Sequence, residues 1–156
     1  MHKDVSKLLD GIGKKILTEL QENGRLPFTE LGRRVGLSTP AVMDRVRQLE
    51  DVGIIRGFRA DVDFSKMGYP IVAFIAVNVV GDFLPRMSKL AKSVPEILEC
   101  HRVTGSNSFI MKVIAGSVEE LEKTIDRLTP YVATTTSLVL SSIVMRRSIE
   151  PIQSNQ

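Results

Sequence analysis

Between Phe28 and Ile55 the chain (FTELGRRVGLSTPAVMDRVRQLEDVGII) has few choices of fold. Two short amphipathic runs meet at Gly36, a residue free to take the left-handed backbone that a tight turn needs. Thr29 can cap the first run, which buries Leu31 and Val35, and Leu37 packs beneath the turn. Ser38 caps the second run, and Pro40 is tolerated in its first turn. Val42, Val46 and Leu49 recur at i, i+4 and i+7, so they face a core. Upstream, Asp10 can cap a helix to about Glu22 with Ile12, Ile16, Leu17 and Leu20 on one stripe. Asn23-Gly24 can stop it in the left-handed conformation. After Gly53 a period of two over Ile54–Val62 predicts a short strand or hairpin. Three helices followed by a strand read as a winged helix-turn-helix.

The polar face of the third helix carries Thr39, Asp44, Arg45, Arg47 and Gln48. Such a helix enters the major groove of double-stranded DNA with its N-terminal half foremost. Thr39 and Asp44 can reach base edges, and Arg45 and Arg47 can meet guanine or phosphate. The amides after Ser38 can hold a phosphate, and Arg56 and Arg59 can touch the flanking backbone. The expected DNA-binding residues are therefore Ser38, Thr39, Pro40, Asp44, Arg45, Arg47, Gln48 and Arg56. The net charge of +3 permits such a partner without demanding one.

A hinge is expected over 63–70 (DFSKMGYP), where turn residues replace periodicity. Beyond it, Ile71–Val80 reads as a buried strand and Asp82–Ser93 as a helix with Phe83, Met87, Leu90 and Ala91 on one face. Ile97–Thr104 and Ser108–Ala115 read as strands. Ser117–Leu128 reads as a helix with Val118, Leu121, Ile125 and Leu128 inward, and its Ser-x-x-Glu start suits a capping box. Thr134–Met145 closes as a strand. The order βαββαβ predicts a ferredoxin-like antiparallel sheet with helices on one face. The fold class is thus α+β: residues 1–62 form the DNA-binding domain, 71–147 the second domain, and 148–156 a tail. Val72, Phe74, Ala76, Ile110, Val139 and Ile143 are left for an open sheet face, which calls for a second copy.

The rest is exclusion. One cysteine rules out a disulfide scaffold and a cysteine-built zinc site. Cys100 and His101 are neighbours and point to opposite faces of a strand. No nucleophile–base pair is visible, Ser141-Ser142 included, so neither a catalytic site, a metal nor a cofactor is expected. No signal peptide is read, and Ile71–Val80 is too short for a bilayer. A cytoplasmic protein without membrane contact is the default.

ILTELQENGR (16–25), ELGRRVGLS (30–38), RVRQLEDVGIIRGFRADVD (45–63), ECHRVTG (99–105) and TTTSLVL (134–140) together resemble the Lrp/AsnC, or feast/famine, family of transcription regulators over nearly the whole chain. The resemblance implies a C-terminal RAM effector domain and dimers that assemble to tetramers or octamers. It also implies an amino-acid or related small-metabolite effector between dimers. The positions carried over are Gly105, Ser106, Asn107 and Ser108 in the loop, and Thr134, Thr135 and Thr136 at the last strand. Family loops that bind amino acids commonly carry aspartates to meet the ligand's ammonium, and this loop has none. A neutral ligand, a site completed by another chain, or a ligand-free architectural protein that wraps DNA therefore stay open.

Overall fold

The computed structural model describes residues 5–79, 84–128 and 132–152. They form two compact units. One holds the described residues up to Asp61 and those from Val144 onward; the other runs from Val62 to Ile143.

The first unit contains α1 (Val5–Leu8), α2 (Gly11–Glu22), α3 (Phe28–Val35) and α4 (Thr39–Asp51). Asp10 caps α2 by accepting the Gly13 amide at 2.8 Å, and Ser38 caps α4 by accepting that of Ala41 at 3.4 Å. Ile16, Leu31, Val42 and Leu49 are fully buried at the centre, with Leu8, Leu17, Val35 and Val46 around them. Gly36 takes the expected left-handed turn at φ 77°. Gly32 is equally constrained, because a Cβ there would lie 2.6 Å from the Leu37 carbonyl oxygen. Small size at this position lets the turn fold back over α3.

Several local expectations do not hold. Thr29 lies inside α3, whose N-cap is Pro27, with no side-chain cap. Asn23 ends α2 in an extended conformation, φ −140°, rather than a left-handed one; its side chain accepts the Arg25 amide instead. No strand forms over Ile54–Val62. Ile54 and Ile55 pack on the helical core, but the backbone beyond them finds no partner strand among the described residues. The unit is a helix-turn-helix without a paired wing. The C-terminal stretch also departs from the expected division. From Val144 it belongs to the helical unit, where Gln21 grips Ile149 from both sides: its Nε2 donates to the Ile149 carbonyl at 2.9 Å and its Oε1 accepts the Ile149 amide at 3.1 Å.

The second unit is a four-stranded antiparallel sheet in the order β2-β3-β1-β4. Its strands are β1 (Ile71–Asn78), β2 (Ile97–Arg102), β3 (Phe109–Ala115) and β4 (Ala133–Leu138), joined by α5 (Leu84–Ser93) and α6 (Val118–Asp126). This is the βαββαβ arrangement. Ala73, Ile75 and Val77 of β1 and Phe109, Met111 and Val113 of β3 point to the helix side, where they bury against Met87, Ala91, Leu121 and Leu128. Ser117 caps α6 through the Glu120 amide at 3.2 Å, and Glu120 reaches back to the Gly116 amide at 2.9 Å. Val118, expected inward, is exposed, because it opens the helix on the solvent side. The segment 63–70 holds a single 3-10 turn over Ser65–Met67, seeded by the Asp63 carboxylate accepting the Ser65 amide. Val80, Asp82 and Phe83, expected at the end of β1 and the start of α5, lie outside the described residues.

β4 stops well short of Met145. The Val139 amide still reaches the Val72 carbonyl at 2.9 Å, but β1 begins at Ile71, so the ladder has no further partner. Val72, Phe74, Ala76 and Ile110 do form the open face, whereas Ile143, 95% exposed, is off the sheet altogether.

The Gly32 approach gives a direct test. Gly32→Ala should destabilise the helical unit by about 1–3 kcal/mol, the usual cost of overpacking, seen as a lowered thermal midpoint. An unchanged midpoint would mean the turn relaxes freely.

Candidate nucleic-acid interface and effector loop

The capped α4 lies across a sealed core, so its outer face is fixed in rotation. Ser38, Pro40, Asp44 and Arg47 are exposed there, and Thr39 and Gln48 are half-buried. Gln48 Nε2 donates to the Asp44 carboxylate one turn before it, which orients both groups. Arg56 is exposed in the irregular segment after the helix.

Arg45 is bonded within the unit. Its side chain is only 23% exposed and turns away from that face. It donates to the Asp10 carboxylate and to the Lys7 carbonyl at 3.1 Å. The N-cap of α2 is thereby bonded to a guanidinium as well as to the Gly13 amide. The Arg45 guanidinium first, then the amide, holds the Asp10 carboxyl below its usual range. Arg45 thereby joins α4 to the start of α2. Arg33 and Arg34 are engaged too. Both bond Glu30 at 2.8 Å, and Arg34 also reaches Glu19 at 2.8 Å. The two guanidinium groups bring the Glu30 carboxyl down to about 2. The polar-face reading also passed over an apolar side chain. Met43 stands 48% exposed on the flank of α4 and Phe28 38% exposed at the start of α3. The spacing of Val42, Val46 and Leu49 already leaves Met43 off the core stripe, and that was the signal for it.

In the sheet unit, the register places the two expected effector segments on either side of one residue. Val77 of β1 pairs with Phe109, directly after Ser108, and with Thr134. At the spacing of neighbouring strands this sets Ser108 and Thr134 about 10 Å apart. Ser108 is used structurally. Its amide donates to the Val77 carbonyl at 2.8 Å, while its hydroxyl accepts the Val79 amide at 3.0 Å and donates to the Val79 carbonyl at 3.1 Å. Gly105 sits at φ 114°, where a side chain would be strained. Ser106 is exposed and Asn107 half-buried, their side chains in marginal contact at 3.5 Å. Thr134 and Thr136 pair with Val77 and Ile75 and share their helix-side face; Thr135 pairs with Ala76 and points to the open face.

A separate groove of about 730 Å³ lies between α5 and β2, lined by Leu84, Ala91, Ile97, Cys100, Arg102 and Phe109 among others. None of the expected effector residues lines it. Cys100 is exposed at its edge, and partial desolvation raises the pKa of its thiol, away from reactivity. Among the described residues no group of His, Cys, Asp and Glu could hold a metal ion, and no helix is long and apolar enough to cross a membrane.

A helix-turn-helix with an exposed face on α4, followed by a ferredoxin-like domain, defines a two-part DNA-binding regulator. Residues 9–50 match the AsnC-type helix-turn-helix domain, and residues 72–149 match the Lrp/AsnC ligand binding domain. The HTH-type transcriptional regulator LrpC of Bacillus subtilis is 36% identical over 135 residues, covering 86% of this chain and 94% of its own. Two solved relatives superpose closely. A transcriptional regulator of Neisseria meningitidis in complex with L-Met has a TM-score of 0.85 at 31% identity, covering 90% of this chain and 96% of that one. The feast or famine regulatory protein of M. tuberculosis complexed with L-methionine has a TM-score of 0.84 at 30% identity, covering 92% and 99%. The chain belongs to the Lrp/AsnC family of transcription regulators.

The Arg45–Asp10 pair predicts a stability effect. Arg45→Ala should lower helical-unit stability by about 1–2 kcal/mol, the range of a charged hydrogen bond discounted for partial exposure. Because the Asp10 pKa is depressed from 3.8 on folding, the contribution is present above that value and lost as pH falls below it. The variant should therefore show a flatter loss of stability below about pH 4. A variant that melts normally yet loses DNA affinity would return Arg45 to the interface.

Proposed function

We propose that α4 reads operator DNA through Ser38, Thr39, Pro40, Asp44, Arg47 and Gln48, with Arg56 on the flanking phosphates. The observation that carries this is the fixed rotation of α4, which keeps these groups outward while Val42, Val46 and Leu49 are buried. Two heads are needed for a palindromic site. The open sheet face around Val72, Phe74, Ala76 and Ile110 favours a symmetric dimer that can assemble further. The protein acts in the cytoplasm, where its DNA is, and performs no reaction of its own.

We further propose that an amino acid or related small metabolite binds at Gly105–Ser108 and Thr134–Thr136 and shifts the assembly. The two relatives solved with L-methionine support this class. Ser108 serves there as a positioning residue, since its hydroxyl is already bonded on both sides to Val79. The acid-free loop favours a second reading, an architectural DNA-wrapping protein without a ligand.

Fluorescence anisotropy on the DNA upstream of its own gene separates these. A regulator should prefer that DNA to a scrambled control and lose roughly tenfold or more affinity between 50 and 200 mM salt; methionine or another amino acid should shift the curve. Equal binding to scrambled DNA, unmoved by all twenty amino acids, would favour the architectural reading. Asn107→Asp restores an acid without touching the strained Gly105. It should tighten amino-acid binding by roughly fivefold, on the scale of one exposed ion pair, and isothermal titration with no gain would remove the loop from the site. Phe74→Glu should give a lower-mass species in sedimentation; an unchanged mass would locate the dimer contact elsewhere.

A further inference from the structure

We propose that Met43 reads the C5 methyl group of thymine in the major groove. This rests on α4 being the recognition helix. Met43 follows the buried Val42, yet it lies outside the core and 48% exposed. It lines an open hollow of about 460 Å³ with Phe28, Arg47 and Glu50. Among the described residues of the helical unit this apolar pair stays exposed, Met43 at 48% and Phe28 at 38%. Along the exposed side of the first two turns of α4 stand Pro40, Ala41, Met43 and Asp44. The side chains there are mostly apolar or acidic, and the cation that sequence placed among them, Arg45, is bonded to Asp10.

The occupant follows from what a major groove displays. Its base edges offer hydrogen-bond donors and acceptors and one apolar group, the thymine methyl. A thioether side chain cannot donate and accepts weakly, so the methyl is the partner that compensates its exposure. The unbranched methionine chain can adapt to the depth of the groove. Arg47 stands one turn further along the same flank, at i+4, and can anchor a phosphate or a guanine beside the methyl contact. The patch is thus continuous with the DNA-reading face rather than an isolated apolar surface.

The test uses the full-length protein and a site selected from a random duplex library. Each thymine of the selected site is then replaced singly by deoxyuridine, which removes only the methyl. Wild type should lose about three- to fivefold in affinity at one thymine per half-site, the scale of one buried methyl group. Met43→Ala should bind the parent site more weakly and show no penalty for that uracil. Met43→Leu should keep the penalty, and Arg47→Ala should weaken binding at every site without abolishing it. Wild-type indifference to uracil throughout, or an undiminished penalty in Met43→Ala, would overturn the assignment. So would a change of oligomer mass in Met43→Ala with uracil sensitivity intact, which would give the residue to a protein contact. A library that enriches no sequence would overturn the reading of α4 itself, and this proposal with it.

Discussion

The approach of the Leu37 carbonyl to Gly32 governs what α4 can do. With no Cβ on Gly32, the turn at Gly36 folds back onto α3, and Val42, beneath the same glycine, reaches the centre of the core. Once Val42, Val46 and Leu49 are sealed, the helix cannot rotate without exposing them. Its outer residues are then presented in one orientation only. Pre-set geometry of this kind limits the ordering cost that binding would otherwise carry.

The distribution of charge follows from that packing. Arginine count suggests a strongly cationic head, but Arg33 and Arg34 share Glu30, and Arg45 bonds Asp10. A guanidinium already held by a carboxylate contributes little net field to a phosphate nearby. Among the described residues, Arg47 on the helix and Arg56 and Arg59 beyond it are exposed cations near the face with no carboxylate partner. Affinity drawn from phosphates is therefore modest for one head, which gives a paired arrangement of heads more to contribute.

What sequence revealed was what depends on near neighbours. Asp10, Ser38 and Ser117 cap the helices as their spacing required, and short apolar runs mark all four strands, because caps and strand patterns are settled within a few residues. The Arg45–Asp10 bond is invisible to local pattern because its partners lie 35 positions apart. Apolar character hid Met43, which the polar-face argument had no reason to count. β4 was drawn too long because its end is set by where β1 begins. The wing failed likewise, as alternation at Ile54–Val62 describes a willing strand without supplying its partner. In the proposed effector region, sequence gives no hint that the Ser108 hydroxyl ties the loop to Val79, since the two lie 29 positions apart.

That tie has a consequence for any signal passing through the sheet. β1 contacts both proposed effector segments at once, since Val77 pairs with the residue after Ser108 on one side and with Thr134 on the other. A ligand that pulled either segment would strain the same strand. β1 also carries Phe74 and Ala76 on the open face, opposite the side to which Val77 points. The strand that would register a ligand is therefore the one that presents the surface for a second copy. Coupling between effector and assembly needs no longer path than the alternation of side chains along β1.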